Sequence, residues 1–144
     1  TIRSAVFRNY YQEFHKGLGP ILFNIFINDL FLFLTKVHLA NFADDNTLST
    51  SSKNIKEILD ILESESNQAI AWFRNNMMIV NPDKFQMIIF STNKSITTET
   101  IKVNIDGIEI TPTESVSLLG IEIDNKLSFE KHTKKTMYQS KQST

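Results

Sequence analysis

Residues 37–50 read VHLANFADDNTLST, and this stretch decides how the rest of the chain can fold. Two strand-like runs, 37–42 and 47–50, flank a short Asp-Asp-Asn segment whose residue types are typical of tight turns. The pattern predicts a β-hairpin that carries Asp44 and Asp45 at or beside its tip. A hairpin at this point separates one helical region before it from a second helical region after it.

The adjacent carboxylates of this hairpin have two interpretations. Like charges repel, and Asp and Asn readily bond their own backbone, so a solvated turn is the favoured interpretation on residue types alone. The alternative is a hard divalent cation, because Mg²⁺ takes carboxylate oxygens and usually shares its shell with substrate phosphates. In a two-metal site, ions about 3.5–4 Å apart clamp the attacking and leaving oxygens of an in-line displacement. Both interpretations remain open from the residues alone.

Before the hairpin, GLGP (residues 17–20) reads as a turn, with Pro20 suited to the first position of a helix. Residues 21–34 that follow are apolar on nearly every side, apart from Asp29 and a narrow polar stripe of Asn24 and Asn28, four residues apart. The run is too short for a membrane span, which needs about 20 residues. We therefore expect a helix that is buried on most of its surface.

After the hairpin, Asn54 followed by Glu57 resembles a capping box ahead of a long helix. Apolar residues then recur at helical spacing and cover one face, which predicts a helix that runs to about Asn75. Pro82 closes this region.

The remainder of the chain reads as strands. Residues 85–91 and 115–124 each predict a strand, and residues 92–100 a polar loop. The alternation around Asp106-Gly107 is a strong signal for a two-residue hairpin. Ser128 suits the cap of a last helix that starts at Phe129. This order of elements predicts an α+β fold, a largely antiparallel sheet with helices packed on one face.

The composition limits the classes of function that the chain can have. With 144 residues, 41% hydrophobic and 22% charged, the chain is expected to form one globular domain. A net charge of −1 argues against a self-sufficient nucleic-acid-binding module. The absence of cysteine excludes a thiolate metal site and is compatible with an intracellular setting, nucleus or cytoplasm. The three histidines are scattered without metal-ligand spacing. No secretory signal is visible, and a first residue other than Met suggests a fragment or a processed piece.

The ordered string GLGPILFNIFINDL, FADD, WFRNNMMIVNPDK, FQMIIF and LLGIEID resembles the reverse transcriptase of non-LTR retrotransposons, the LINE and jockey-like group. The resemblance runs from about Gly17 to the C-terminus, and its specificity lies in the order and spacing of the motifs rather than in FADD alone. It implies three parts: an atypical N-terminal segment (1–16), a partial polymerase palm (17–125) and a basic C-terminal helix that begins the thumb (126–144).

The resemblance also implies roles for single residues. FADD matches the aspartate box of the palm, so Asp44 would be the metal-binding carboxylate and Asp45 the second acid, closer to the primer and the metal shell. The metal would be Mg²⁺, with Mn²⁺ as a possible substitute. Lys84, in the motif NPDK, would lie near the pyrophosphate and could act as a proton donor, although on its residue type alone a solvated turn lysine is the favoured interpretation.

The nucleic-acid contacts implied by the resemblance lie elsewhere in the chain. Gly17 and Gly19 of GLGP would lie near the template and the incoming nucleotide. Leu119 and Gly120 of LLGIEID would hold the primer end. The partners of the intact enzyme would be an RNA template, a DNA primer and a deoxynucleoside triphosphate, with no membrane.

The family carries another aspartate in a strand upstream of these motifs, whereas no aspartate precedes Asp29 here. The fingers are also absent from the string, so a missing upstream polymerase half is expected. We therefore expect two-metal nucleotidyl transfer in the intact enzyme and an isolated chain that polymerises barely or not at all. The alternatives are a non-catalytic relic palm that binds nucleic acid weakly or not at all, and a small α+β domain whose aspartate pair is only a turn.

Overall fold

The structure is a computed structural model that describes residues 2–4, 19–42, 45–92, 100–130 and 133. The described residues form two long helices, α1 (Gly19–Phe33) and α2 (Ile55–Asn75), and one 3₁₀ turn (Pro82–Lys84). They also form eight strands: β1 (Ile2–Ser4), β2 (His38–Phe42), β3 (Asp45–Ser52), β4 (Ile89–Ser91), β5 (Val103–Ile105), β6 (Ile108–Ile110), β7 (Ser115–Leu118) and β8 (Ile121–Asp124). This mixture of helices and antiparallel strands matches the predicted α+β class.

The strands form three separate antiparallel sheets rather than the single sheet expected. The largest has the order β2-β3-β1-β4, and the other two are the hairpins β5-β6 and β7-β8. The predicted hairpin at residues 37–50 is confirmed, because β2 and β3 pair in register from His38↔Ser49 to Phe42↔Asp45. Strand β3 is the longest in the sheet and pairs on both sides, which makes it the rigid centre of this half of the molecule.

Strand β1 is an element that the sequence did not predict. It pairs antiparallel with β3, through Ile2↔Ser52, and with β4, through Ile2↔Ser91. A strand of three residues is too short to show an alternating pattern, so its place in the sheet depends on tertiary pairing rather than on local sequence. Part of the segment 1–16 thus completes the main sheet, and the rest of that segment lies outside the described residues.

Helix α2 confirms the most secure prediction from the sequence. Asn54 is its N-cap, and its side chain accepts a hydrogen bond from the backbone N–H of Lys56 at 3.0 Å. The capping box itself is rearranged, because the backbone N–H of Asn54 donates to the hydroxyl of Ser52 while Glu57 accepts from that same hydroxyl. The apolar face of α2 packs into the main core, where these side chains are buried: Ile58, Leu62, Ala69, Ile70 and Phe73.

Helix α1 is far less buried than its composition predicted. Ile27 and Leu30 enter the core, and Leu34 follows just after the helix ends. On the remaining sides apolar residues face outward, and Leu32 is 77% exposed. The expectation of a helix buried on most of its surface is therefore wrong. Within the described part of the chain α1 packs against α2 alone among the helices, so one stripe is covered and the rest is not.

The β5-β6 hairpin confirms the turn predicted at Asp106-Gly107, where both residues have positive φ (57° and 81°). It docks on α2 through polar contacts. The side chain of Asn67 accepts from the Asp106 N–H at 2.8 Å and donates to the Asn104 carbonyl at 3.0 Å. Glu63 accepts from the Asn104 N–H at 2.9 Å, and Arg74 forms an ion pair with Asp106. Side chains of α2 thereby satisfy backbone groups of the strand that would otherwise be left unpaired.

The predicted strand at residues 115–124 is wrong in one respect, because the segment folds back as the β7-β8 hairpin. The predicted strand at 85–91 is also shorter, with regular pairing confined to β4. Before β4, the carbonyl of Met87 accepts from the N–H of Thr113 at 2.8 Å, and Met87 forms an isolated parallel bridge with Pro112. This crossing diverts the chain from the sheet ladder.

The start of the predicted last helix is present at Glu130 and Thr133, and the Thr133 N–H donates to the Phe129 carbonyl at 3.0 Å. The rest of the basic C-terminal segment, and most of the loop predicted at 92–100, lie outside the described residues. Neither of the described long helices is both long and apolar enough to cross a membrane.

Candidate functional site at the end of the main sheet

Asp45 is the first residue of β3, and the register of the hairpin decides where its side chain lies. Alternate residues of a strand point to opposite faces. Leu48 is buried in the core shared with the helices, and its partner Leu39 packs against that core. Asp45 has the opposite parity and therefore lies on the sheet face turned away from the helices. It is nevertheless only 6% exposed.

Asp44, the other predicted metal ligand, lies outside the described residues together with Ala43. Phe42 and Asp45 are cross-strand partners, so Ala43 and Asp44 are the residues that connect β2 to β3. The geometry of the aspartate pair therefore stays a prediction. Gly17 also lies outside the described residues, while Gly19 is the first residue of α1, one position before Pro20.

Directly behind Asp45, two asparagines form a cross-strand pair on the core side of the hairpin. Asn41 and Asn46 are register partners, and the amide Nδ2 of Asn41 donates to Oδ1 of Asn46 at 2.9 Å. Asn46 is buried, with 1% of its surface exposed. The Asp-Asp-Asn pattern predicts only a turn position for Asn46, and nothing local in the sequence marks Asn41. A polar residue at each of two positions that should face the core is the signal that could have found them.

Lys84 ends the 3₁₀ turn that precedes β4. The turn is capped by Asn81, whose side chain accepts from the Asp83 N–H at 3.1 Å. Strands β3 and β4 both pair with β1, and Ser4 is the partner of Thr50 on one side and of Ile89 on the other. The two strands therefore run in the same direction, and the chain before β4 approaches the end of the sheet where β3 begins. Lys84 lies on this approach, ahead of β4 and outside the sheet ladder.

Leu119 and Gly120 form the tip of the β7-β8 hairpin, and both have positive φ (50° and 81°). Sequence reasoning missed this turn because Leu-Gly lacks the Asn or Asp that marks such hairpins. Leu119 is 47% exposed, so a branched apolar side chain stands in solvent on a backbone conformation that suits Gly or Asn. Local strain of this kind at an exposed tip is a feature of binding sites.

Asp124, at the end of β8, organises the turn that leads to the last helix. Its carboxylate accepts from the backbone N–H groups of Lys126, Ser128 and Phe129 at 2.8–3.1 Å and from the Ser128 hydroxyl at 3.0 Å. The Ser128 N–H is the largest cause that lowers the pKa of Asp124 to about 2, against desolvation that acts in the other direction. Ser128 does accept from the Glu130 N–H, at 3.4 Å, so the predicted cap exists, but Asp124 is the residue that holds this turn.

The donor chemistry of the hairpin suits a hard divalent cation, since carboxylate oxygens are the ligands that Mg²⁺ prefers. Among the described residues, however, no three side chains of His, Cys, Asp or Glu cluster as a metal site. Asp45 is the acid that the described part of the hairpin contributes. A complete site would need further oxygen donors.

Fold and site together define an α+β domain whose main sheet ends in an acid-bearing β-hairpin. Comparison with known proteins shows which family the chain belongs to. Residues 17–123 match the model of the family described as reverse transcriptase (RNA-dependent DNA polymerase), and the chain belongs to that family. The resemblance to the jockey-like, non-LTR reverse transcriptases is thereby confirmed.

Two Drosophila melanogaster proteins illustrate the relationship. The chain is 30% identical over 126 residues to the probable RNA-directed DNA polymerase from transposon BS, which covers 83% of this chain and 14% of that protein. It is 28% identical over 122 residues to the RNA-directed DNA polymerase from mobile element jockey, which covers 80% of this chain and 13% of that protein. The chain thus spans about one seventh of the length of these relatives.

Proposed function

We propose that this chain is the part of a non-LTR RNA-directed DNA polymerase that carries the aspartate hairpin of the palm and the start of the thumb. In the intact enzyme, Asp44 and Asp45 would hold divalent cations against an incoming nucleotide. The observation that carries this proposal is the position of Asp45 at the end of the main sheet, buried on the face turned away from α1 and α2. A turn whose aspartates served only solubility would have no need to bury one of them.

The reaction would be nucleotidyl transfer. The primer 3′-hydroxyl attacks the α-phosphate of the nucleotide, a new P–O bond forms, and the bond to pyrophosphate breaks. Bound Mg²⁺ would supply the positive charge that lets carboxylates and a triphosphate occupy one site. The chain would contribute placement, because Asp45 is paired with Phe42 on β2, and β3 is tied further along to β1.

Lys84 would act on the leaving group. Its place on the segment that leads into β4, a strand parallel to β3, supports this role. It would donate a proton to pyrophosphate as the P–O bond breaks, a role worth typically 10²–10⁴-fold in rate.

The nucleic acid would be held at other points. Gly17 and Gly19 would lie near the template and the nucleotide, where the absence of a side chain permits close approach. Leu119 would press against the primer end from the tip of its hairpin, and its exposure and left-handed backbone support this role. The basic segment after residue 126 would contact phosphates, which predicts that binding weakens steeply as salt is raised.

The second candidate is a relic of the same fold that binds nucleic acid weakly and does no chemistry. The sequence carries no aspartate before Asp29, so the chain on its own lacks the further acid that the family carries upstream, which favours this candidate for the isolated chain. We therefore expect no more than trace primer extension by the isolated chain.

Primer extension with Mg²⁺ or Mn²⁺ separates the two candidates. The matched segment of the jockey polymerase would be replaced by this chain, and the chimera assayed beside the isolated chain. Under the proposed function the chimera extends a primer, and Asp44→Ala or Asp45→Ala abolishes extension. A chimera that folds, binds primer–template and extends nothing would establish the relic. Robust extension by the isolated chain would show that our expectation of inactivity is wrong.

A further inference from the structure

The buried asparagine pair behind the aspartate hairpin has no role in the function proposed above. Nδ2 of Asn41 donates to Oδ1 of Asn46 at 2.9 Å, and the pair forms the rung next to Phe42↔Asp45. The side-chain amide nitrogen of Asn46 lowers the stability of the fold. This Nδ2 atom is buried and has no hydrogen-bond partner among the described residues.

A buried amide donor without an acceptor is destabilising, because it has given up its hydrogen bonds to water. Asn46 has the same strand parity as Leu48, which is fully buried, so an apolar side chain would suit position 46 better on stability alone. Polar groups that persist in a core at such a cost are best attested as devices that fix one geometry among several. The question is which geometry this pair fixes.

The rungs on either side answer it. On the core face, the next rung away from the tip is Leu39↔Leu48, which packs against the helices. On the tip side, Phe42 and Asp45 have the opposite parity, and Phe42 is 66% exposed. The asparagine rung is therefore the last rung on the core face before the two-residue connection. Its hydrogen bond is directional, whereas apolar packing would tolerate sliding and splaying of the strand ends.

We propose that the hydrogen-bonded Asn41–Asn46 pair is a positioning device that keeps the tip-side rung, Phe42↔Asp45, closed and holds Asp45 on the face turned away from α1 and α2. Its bearing on catalysis rests on the proposed function, in which Asp45 belongs to the metal site. The closure of the hairpin tip does not depend on that function and can be measured by itself.

The chain contains no cysteine, so pairs of cysteines can be introduced as clean probes of strand closure. Ala40→Cys with Thr47→Cys places a pair on the rung beside the asparagines, on the face away from the helices. His38→Cys with Ser49→Cys places a matched control pair two rungs further from the tip, on the same face. The effective concentration of each disulfide, measured against a glutathione buffer, reports how firmly that rung is held.

The two probes are compared in four backgrounds: unchanged, Asn41→Ala, Asn46→Ala and both. We expect either single substitution to lower the effective concentration of the 40–47 disulfide about tenfold, with less than about twofold change at 38–49. The double substitution should be no worse than either single one, because the two side chains act through one bond. The proposal would be overturned by equal changes in the effective concentrations of the two disulfides, by no change in that of the 40–47 disulfide, or by additive effects of the two substitutions.

A second set of variants separates hydrogen bonding from packing. In Asn41→Asp, the carboxylate can accept from the unpartnered Nδ2 of Asn46, so the cross-strand bond is kept with its direction reversed. Asn41→Leu has a similar shape and no such bond. We expect the 40–47 disulfide to stay within about twofold of its original value in the Asp variant and to weaken in the Leu variant. If the two variants behave alike, the pair acts only through packing and the proposal fails.

Binding of Mn²⁺ to the same variants, each built into the jockey chimera described above, tests the proposed function independently. If the tip loosens as expected but no Mn²⁺ binding depends on Asp45, the positioning role stands and the proposed function fails. If Mn²⁺ binding depends on Asp45 while the asparagine substitutions leave the 40–47 disulfide unchanged, the proposed function stands and the positioning role is refuted.

Discussion

Two residues, Leu119 and Asp124, have a backbone conformation or hydrogen bonds that their residue types do not predict. Leu119 occupies a left-handed turn position that suits Asn or Gly, and Asp124 gathers donors from the turn that follows it. In both cases a local cost or a local gain can be isolated by one substitution. A substitution of Leu119 tests whether its strained backbone conformation serves binding. A substitution of Asp124 tests whether its carboxylate stabilises the turn before the last helix.

Leu119→Asn should stabilise the chain by about 0.5–1 kcal/mol, because Asn tolerates the left-handed backbone and forms the favoured Asn-Gly turn with Gly120. Urea denaturation measures the change in the free energy of unfolding. Affinity for a primer–template duplex should fall in the same variant, since the exposed apolar side chain is lost. An unchanged or lower stability would show that the turn is not strained at this residue.

The stability of the chain should depend on Asp124 at low pH. Its pKa in the folded state is lowered to about 2 from 3.8, so the folded state favours the charged carboxylate. The stabilisation is fully present above the unfolded pKa and is lost as pH falls from about 4 through about 2. Denaturation at pH 5 and pH 2.5 should show a smaller loss for Asp124→Asn than for the unchanged chain. Equal losses in the two proteins would contradict the assignment.

At the scale of elements, prediction succeeded where a signal was long or chemically specific. Helix α2 spans 21 residues with one apolar face, and Asp106-Gly107 is a strong turn signal, so both were found. Helix α1 is apolar on nearly all sides, so its sequence could not show which stripe would be covered. Strand β1 has only three residues, and the β7-β8 turn uses Leu-Gly, so neither carried a readable signal.

The site was predicted unevenly for the same reasons. FADD and NPDK led to Asp45 and Lys84 through family resemblance, and the strand register places Asp45 at the end of the main sheet. The roles of both residues stay predictions. The Asn41–Asn46 pair escaped prediction because its meaning depends on strand parity, which becomes visible only once the register is known.

The core of α2 provides a test of the fold as a packed unit. Phe73 is fully buried in the main cluster, so Phe73→Ala should lower the free energy of unfolding by about 3–5 kcal/mol. Ile79→Ala serves as the matched control, since Ile79 is exposed and its truncation should cost less than about 0.5 kcal/mol. Thermal or urea denaturation measures both. Similar losses at the two positions would contradict the packing described here.

At the scale of the whole molecule, the chain is an α+β member of the reverse transcriptase family that spans about one seventh of its relatives' length. The acid-bearing hairpin lies at one end of the main sheet. The outer side of α1 remains apolar and exposed within the described structure. The account of function therefore depends on one end of one sheet, and that is where it is tested.

The most direct test is a titration of the isotope-labelled chain with Mn²⁺ and a deoxynucleoside triphosphate, followed by paramagnetic broadening of its amide NMR signals. We predict that broadening is strongest around residues 41–46 and is abolished by Asp45→Asn. Asp60→Asn, which removes an exposed carboxylate on α2, should leave it unchanged. Broadening that is spread over other acidic residues, or that survives Asp45→Asn, would contradict the central claim that this hairpin binds metal and nucleotide.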